Sequence, residues 1–256
     1  MSLATPPLTE HVVHAWLLPL SGELSTALLA YITPEEKNRA ATMQSEQRKK
    51  EWLASRALLR VCLSHYTGIS PVDLRFEKTE AGKPILINAA SEIAFNLSHG
   101  PRWAVCAVAA AGDVGVDVDC ETRRNRIDDI AAQYFHAQEQ AVLVAIQDEH
   151  ARRRAFFRYW TLKEAYIKAK GETLNGTRLQ EYAFLPSVHQ QPATLLNATS
   201  DGWRFAHRRF DDDHHLALAS KCAESNTDDS GAVMQYSFWQ WDPVLNALQT
   251  LTTCES

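Results

Sequence analysis

Two stretches of this chain concentrate side chains able to do acid–base or metal chemistry. The first is Gly115-Val116-Asp117-Val118-Asp119. On a strand, alternate side chains share one face about 7 Å apart. Val116 and Val118 would then turn to a core, leaving Asp117 and Asp119 together on the opposite side. Two neighbouring carboxylates repel unless a cation lies between them or one keeps its proton. Oxygen ligands suit a hard ion such as Mg²⁺, which usually keeps waters and shares substrate phosphates. The plainer reading is a half-exposed strand with its polar residues outward.

The second stretch is Phe156-Phe157-Arg158-Tyr159-Trp160-Thr161-Leu162-Lys163-Glu164-Ala165-Tyr166-Ile167-Lys168. At about 100° per residue, Phe156, Trp160 and Ile167 form one narrow apolar stripe. Glu164 and Lys168 lie beside it as neighbours four residues apart, and Lys163 falls almost inside it. A surface ion pair at that spacing is common and contributes only about 0.2–0.5 kcal/mol. It does not account for three charges crowding the edge of an aromatic face, whereas a partly buried site needing both signs of charge does. A third set comprises Arg48-Lys49-Lys50, Arg56, Lys83 and Ser98-His99. Lys, Ser and His on loops or strand ends suit phosphate oxygens, although each alone is ordinary solvated surface. No P-loop, GxGxxG or GxSxG occurs.

Particular elements must position these residues. An apolar run over residues 12–18 predicts a first strand. Thr33-Pro34-Glu35-Glu36 reads as a helix start with a capping box, and helix is predicted through most of residues 37–66. Short strands follow near 74–76, 85–87, 93–97 and 103–109, then the Asp-bearing strand at 114–119. Helices are predicted at 126–134, 137–147 and 151–169, the last carrying Glu164 and Lys168. Further strands are predicted at 182–185, 203–207 and 216–219. The polar segment 223–231 reads as a linker, with one more strand near 233–241.

The whole chain sets outer limits. Its 256 residues and 45% hydrophobic content suit one large or two small globular domains. A net charge of −5 argues against nucleic-acid binding by bulk charge. Cys62, Cys106, Cys120, Cys222 and Cys254 are scattered and never spaced as CxxC, which fits a reducing cytosol better than a disulfide framework or zinc site. No basic-then-apolar start and no membrane-length apolar run is visible, so a soluble cytoplasmic protein with no membrane partner is expected.

The motifs GVDVD at 115–119, FNLSHG at 95–100, GKP at 82–84 and WTLKEAYIKAKG at 160–171 resemble those of the Sfp-type 4′-phosphopantetheinyl transferases, in the family's order and approximate spacing. The resemblance implies an α+β, pseudo-dimeric two-subdomain fold, each half a small sheet packed with helices. It implies an N-terminal subdomain over 1–112 with the coenzyme A contacts, a C-terminal subdomain over 113–222 with the metal and catalytic motifs, and a linker and tail over 223–256. Asp117, Asp119 and Glu164 match the Mg²⁺ ligands, although Glu is frequent where this chain has Asp119. Lys168 matches the lysine at the phosphates and leaving group, Ser98 and His99 the coenzyme A phosphate contacts, and Arg56, Lys83 and Lys163 further ligand-binding positions.

The implied reaction is transfer of the 4′-phosphopantetheine arm of coenzyme A to a serine of an acyl- or peptidyl-carrier protein, releasing 3′,5′-ADP. Glu164 is the implied base, acting directly or through a water. The carriers are typically acidic, so Arg123, Arg124, Arg126, Arg152, Arg153 and Arg154 are candidate docking charges, with Phe135 an apolar contact. A monomer is expected. Another Mg²⁺-dependent phosphoryl-transfer enzyme and a noncatalytic carrier-binding relative are the alternatives.

Overall fold

The computed structural model describes residues 5–20, 25–80, 82–123, 126–174, 178–185, 194–196, 202–221, 234–242 and 247–255. The expected linker at 223–231 and Arg124 lie outside them. In chain order, β1 (Val12–Pro19), α1 (Thr26–Leu29), α2 (Pro34–Ala41) and α3 (Glu46–Thr67) precede the pair β2 (Phe76–Lys78) and β3 (Pro84–Leu86), then β4 (Ala94–His99) and β5 (Trp103–Ala109). The order then repeats. β6 (Asp113–Cys120), α4 (Ile127–Tyr134), α5 (Ala137–Ala145) and α6 (Glu149–Lys170) precede the pair β7 (Ala183–Leu185) and β8 (Thr194–Leu196), then β9 (Trp203–Phe210) and β10 (His214–Lys221). Two strands close the chain, β11 (Gln235–Asp242) and β12 (Ala247–Glu255).

Strand pairing shows the duplication that no repeat in the sequence reveals. One sheet has the order β12-β11-β1-β5-β4, the other β6-β10-β9. Within them, β1-β5-β4 and β6-β10-β9 have the same antiparallel connectivity. Each half lays a 22-residue helix, α3 or α6, against its own sheet. Each long helix is N-capped by a short polar side chain, Ser45 or Asp148, and ends on a left-handed glycine, Gly68 or Gly171. The expected α+β, two-subdomain fold is what is observed. Helix was expected through most of 37–66, and it breaks between α2 and α3. The predicted capping box forms, Thr33 and Glu36 each bonding the other's backbone N–H.

A third core lies between the sheets, where Val13, Ala15, Leu17, Val105 and Ala107 meet Val114, Val116, Val118, Leu216 and Leu218. This layer puts β6 beside β4, with α6 covering the other face of β6. The tail set apart in the sequence reading enters the first sheet. β11 pairs parallel with β1, matching Ala15 to Phe238 and Trp16 to Trp239, and Trp239 and Trp241 join the core under α3. The reason is hydrophobic burial: Tyr236, Phe238, Trp239 and Trp241 are all buried, and β1 offers an open edge. Among the described residues, no helix is long and apolar enough to cross a membrane.

Candidate active site at the junction of β4, β6 and α6

Alternation along β6 works as the spacing predicts. Val116 and Val118 enter the inter-sheet core, and Asp117 and Asp119 face the other way, beneath α6, only 6% and 2% exposed. Gly115 lets the helix come this close. A Cβ there would stand 2.9 Å from Ala169 Cα and closer still to Ala165 O and Ala169 N, all on α6. Small residues at 115, 165 and 169 therefore set the distance across which Glu164 and Lys168 reach the strand.

Lys168 Nζ lies 2.6 Å from Asp117 Oδ1 and 3.1 Å from Ser98 Oγ. Ser98 Oγ donates to the same carboxylate at 2.8 Å and accepts from Val118 N at 3.3 Å. Asn96 Oδ1 accepts from Val116 N at 3.1 Å. Side chains of β4 thus satisfy amides of β6 where no strand ladder joins the two, and so fix Ser98 against Asp117. Asp119 is held differently: Oδ1 accepts from Cys120 N at 2.9 Å, and Oδ2 from Arg123 Nη1 at 3.0 Å.

The charges perturb one another. Burial, then the Asp117 and Asp119 carboxylates, push the Glu164 carboxyl up to about 7, against the opposing pull of Lys168 and Arg123. Burial also raises Asp119, with Arg123 opposing it. Burial alone would lower the Lys168 ammonium, but Asp117 and Glu164 outweigh it and the net shift is upward. A carboxyl with a proton affinity near neutrality beside a firmly charged ammonium is a common arrangement for acid–base chemistry. Next to it opens a cavity of about 800 Å³ lined by Arg48, Glu51, Trp52, His99, Gly100 and Arg123, among others.

A metal can be tested against these donors. No three His, Cys, Asp or Glu side chains among the described residues are drawn together as a ready cage, because Asp117 and Asp119 direct oxygens to Lys168 and Arg123. The donor chemistry nevertheless fits a hard divalent cation. Asp117, Asp119 and Glu164 are oxygen donors whose mutual repulsion lifts Glu164, and a cation among them relieves it.

The family described as "4′-phosphopantetheinyl transferase, N-terminal" matches residues 15–111, and the "4′-phosphopantetheinyl transferase superfamily" matches residues 113–219. The 4′-phosphopantetheinyl transferase HetI of Nostoc sp. strain PCC 7120 is 33% identical, over 85% of this chain and 92% of its own. The chain belongs to the 4′-phosphopantetheinyl transferase superfamily. A putative 4′-phosphopantetheinyl transferase of Synechocystis is 26% identical over 91% of this chain and 97% of its own. The 4′-phosphopantetheinyl transferase Sfp of Bacillus subtilis is 28% identical over 67% and 73%. The junction between the two family matches, residues 111 to 113, falls between β5 and β6.

Not every residue that resembles a family position stands at the site. Lys163 does not. Its side chain is fully buried in the second half, with Nζ 2.9 Å from Glu139 Oε2 and donating to Tyr182 O at 2.6 Å and Leu179 O at 3.0 Å. Burial lowers its ammonium and Glu139 opposes the shift. The burial of Lys163 matches a helical position almost inside the apolar stripe. Lys83 lies at the far end of α6, donating to Ala169 O at 2.8 Å. Arg56 is paired with Glu36 at 2.6 Å, sits over Phe76, and lines a separate cavity of about 400 Å³ with Lys78 and Pro84.

Among the expected docking residues, Phe135 is buried, its ring 5.2 Å from that of Phe156. Arg153 donates to the Glu121 and Arg123 carbonyls, Arg126 pairs with Asp129 and Arg152 with Asp128. Asn96 and Gly115 do structural work that their residue types alone do not announce.

Proposed function

We propose that this protein transfers the 4′-phosphopantetheine arm of coenzyme A to a serine of an acyl- or peptidyl-carrier protein, in a Mg²⁺-dependent reaction that releases 3′,5′-ADP. The observation that carries the reading is the cluster Asp117, Glu164, Lys168 and Ser98, set beside the cavity lined by Arg48 and His99, in a chain of this superfamily. Asp117, Asp119 and Glu164 would hold the Mg²⁺, which when bound neutralises charge on the pyrophosphate.

The chain's own residues perform the remaining tasks. Serine is a weak nucleophile until a base takes its proton, and the Glu164 carboxylate, directly or through a water, takes that role. The serine oxygen attacks the β-phosphorus. The bond to the bridging oxygen breaks, and 3′,5′-ADP leaves with the electron pair. Lys168, kept protonated by Asp117 and Glu164, is placed to stabilise the departing phosphate. Ser98 orients Asp117 and Lys168 together. His99 on the cavity wall contacts the donor's phosphates.

The test incubates the protein with coenzyme A and apo-carrier proteins, with and without Mg²⁺, and weighs the carriers by mass spectrometry. A gain of one phosphopantetheine on a carrier serine, dependent on Mg²⁺, is expected. Carriers that stay apo throughout, with an authentic transferase modifying the same samples, would overturn the reading.

A further inference from the structure

Two cations stand on the carboxylates expected to hold Mg²⁺, and they differ in kind. Lys168 reaches Asp117 from the packed body of α6. Arg123 reaches Asp119 from the loop after β6, and its side chain is 57% exposed against 3% for Asp119. The loop backbone is pinned. Arg153 of α6 donates to the carbonyl oxygens of Glu121 and Arg123, and Arg123 N donates to Cys120 O at 3.1 Å. The guanidinium therefore sits at the tip of an exposed, flexible stem on a fixed base. It also holds Asp119 Oδ2, while Oδ1 accepts from Cys120 N, so a cation that takes Oδ2 displaces the guanidinium. The same side chain lines the 800 Å³ cavity with Arg48, Glu51 and His99, so a ligand entering that cavity lies within its sweep.

Building on the proposed reaction, we propose that Arg123 is a displaceable counterion. It holds Asp119 in the free enzyme, leaves when a divalent cation takes that carboxylate, and turns into the cavity to bind the phosphates of the donor. A guanidinium and a divalent cation repel each other at this range, so they do not share one oxygen. A donor that draws Arg123 away makes room for the metal, and a metal that expels Arg123 frees it for the donor. By linkage, each ligand then tightens the other by the same factor.

Mn²⁺, followed by the loss of its free-ion electron paramagnetic resonance signal, is the probe. It is titrated into wild type, Arg123→Gln and Arg123→Lys, each without and with coenzyme A. Arg123→Gln should bind Mn²⁺ alone roughly three- to tenfold more tightly than wild type, and the gain that coenzyme A confers should shrink by about the same factor, the remainder coming from the pyrophosphate's own interaction with the cation. Arg123→Lys, which keeps the charge without the guanidinium fork, should fall between them and serves as the test if the glutamine variant does not fold. Mn²⁺ affinity in the variants equal to or weaker than wild type, or an unchanged gain from coenzyme A, would overturn the proposal. Failure of the wild-type protein to modify any carrier strikes the proposed reaction instead, and the carrier mass reads that separately.

Discussion

The two halves share one framework and use it for opposite ends. Aligned at their closing glycines, α3 and α6 match Arg60 to Lys163, Val61 to Glu164, His65 to Lys168 and Tyr66 to Ala169. Aligned end to end, β1 and β6 match His14 to Gly115, Trp16 to Asp117 and Leu18 to Asp119. In the first half the face between strand and helix is filled: Tyr66 Oη meets His14 Nδ1 at 2.7 Å and accepts from Trp16 Nε1 at 2.9 Å. In the second half the same face holds glycine, alanine and charge. The frame has kept its ionic staples in both. Arg60 bonds Glu36 and the Pro71 and Leu74 carbonyls, just as Lys163 bonds Glu139 and the Leu179 and Tyr182 carbonyls. Glu36 and Glu139 each close the capping box of a short helix, α2 or α5. A duplicated scaffold thus keeps its buried ion pair twice and its reactive charges once.

The strongest way to break the comparison is Gly115→Ala. The added methyl meets backbone of α6 that has no room to move, so we expect loss of folded second half, read as insoluble protein or a melting temperature lowered by more than 10 °C. The matching change in the first half, His14→Ala, removes a ring rather than adding a methyl. It should cost about 2–4 kcal/mol in denaturant unfolding, as truncations of buried rings do, with the catalytic cluster intact. A Gly115→Ala protein as stable as wild type would mean that α6 and β6 are not held together by that contact.

Next come the charges. Asp117→Asn and Lys168→Ala should each lower carrier modification by roughly a thousandfold, the scale of losing a transition-state contact, with folding retained by circular dichroism. His65→Ala, at the position matching Lys168, should change turnover less than about threefold. A similar loss from both helices would erase the functional asymmetry between the halves.

Lys163→Met sharpens the comparison. Removing one partner of a buried pair leaves Glu139 uncompensated and typically costs about 3–5 kcal/mol. Arg60→Met should cost less, because Arg56 still pairs with Glu36. The KM for coenzyme A should stay within about twofold of wild type. A raised KM with unchanged stability would return Lys163 to the ligand.

The smallest effect concerns pH. The Glu164 carboxyl, at about 7 against an ordinary 4.5, holds its proton more tightly in the folded than in the unfolded chain. Between those values its contribution to stability falls as pH rises. Glu164→Gln should flatten that part of the metal-free stability profile. Neutral imidazoles act in the opposite direction in both halves: burial lowers His14 and His215 to about 4. Their contribution is present above 6.5 and is lost as pH falls toward 4. A Glu164→Gln profile superimposable on wild type between pH 4.5 and 7 would remove the carboxyl's shift.

Much of this protein was legible before any coordinates. Alternation in GVDVD sorted Val116 and Val118 from Asp117 and Asp119, because strand geometry is local and a pleat has only two faces. Helical periodicity placed Glu164 and Lys168 beside the apolar stripe and Lys163 almost inside it, although the three charges together read as one site, and the capping box at Thr33 and Glu36 spans only four residues. What tertiary structure alone decided involves partners far apart in sequence. No local pattern says that Lys163 ends at Glu139 and two carbonyls, that Ser98 supplies a hydroxyl to Asp117, that the last strands pair with the first, or that one half buries tryptophan where the other buries aspartate. Those outcomes depend on which faces meet once two copies of one topology share a core. They also depend on the requirement that every buried charge and amide find a partner there.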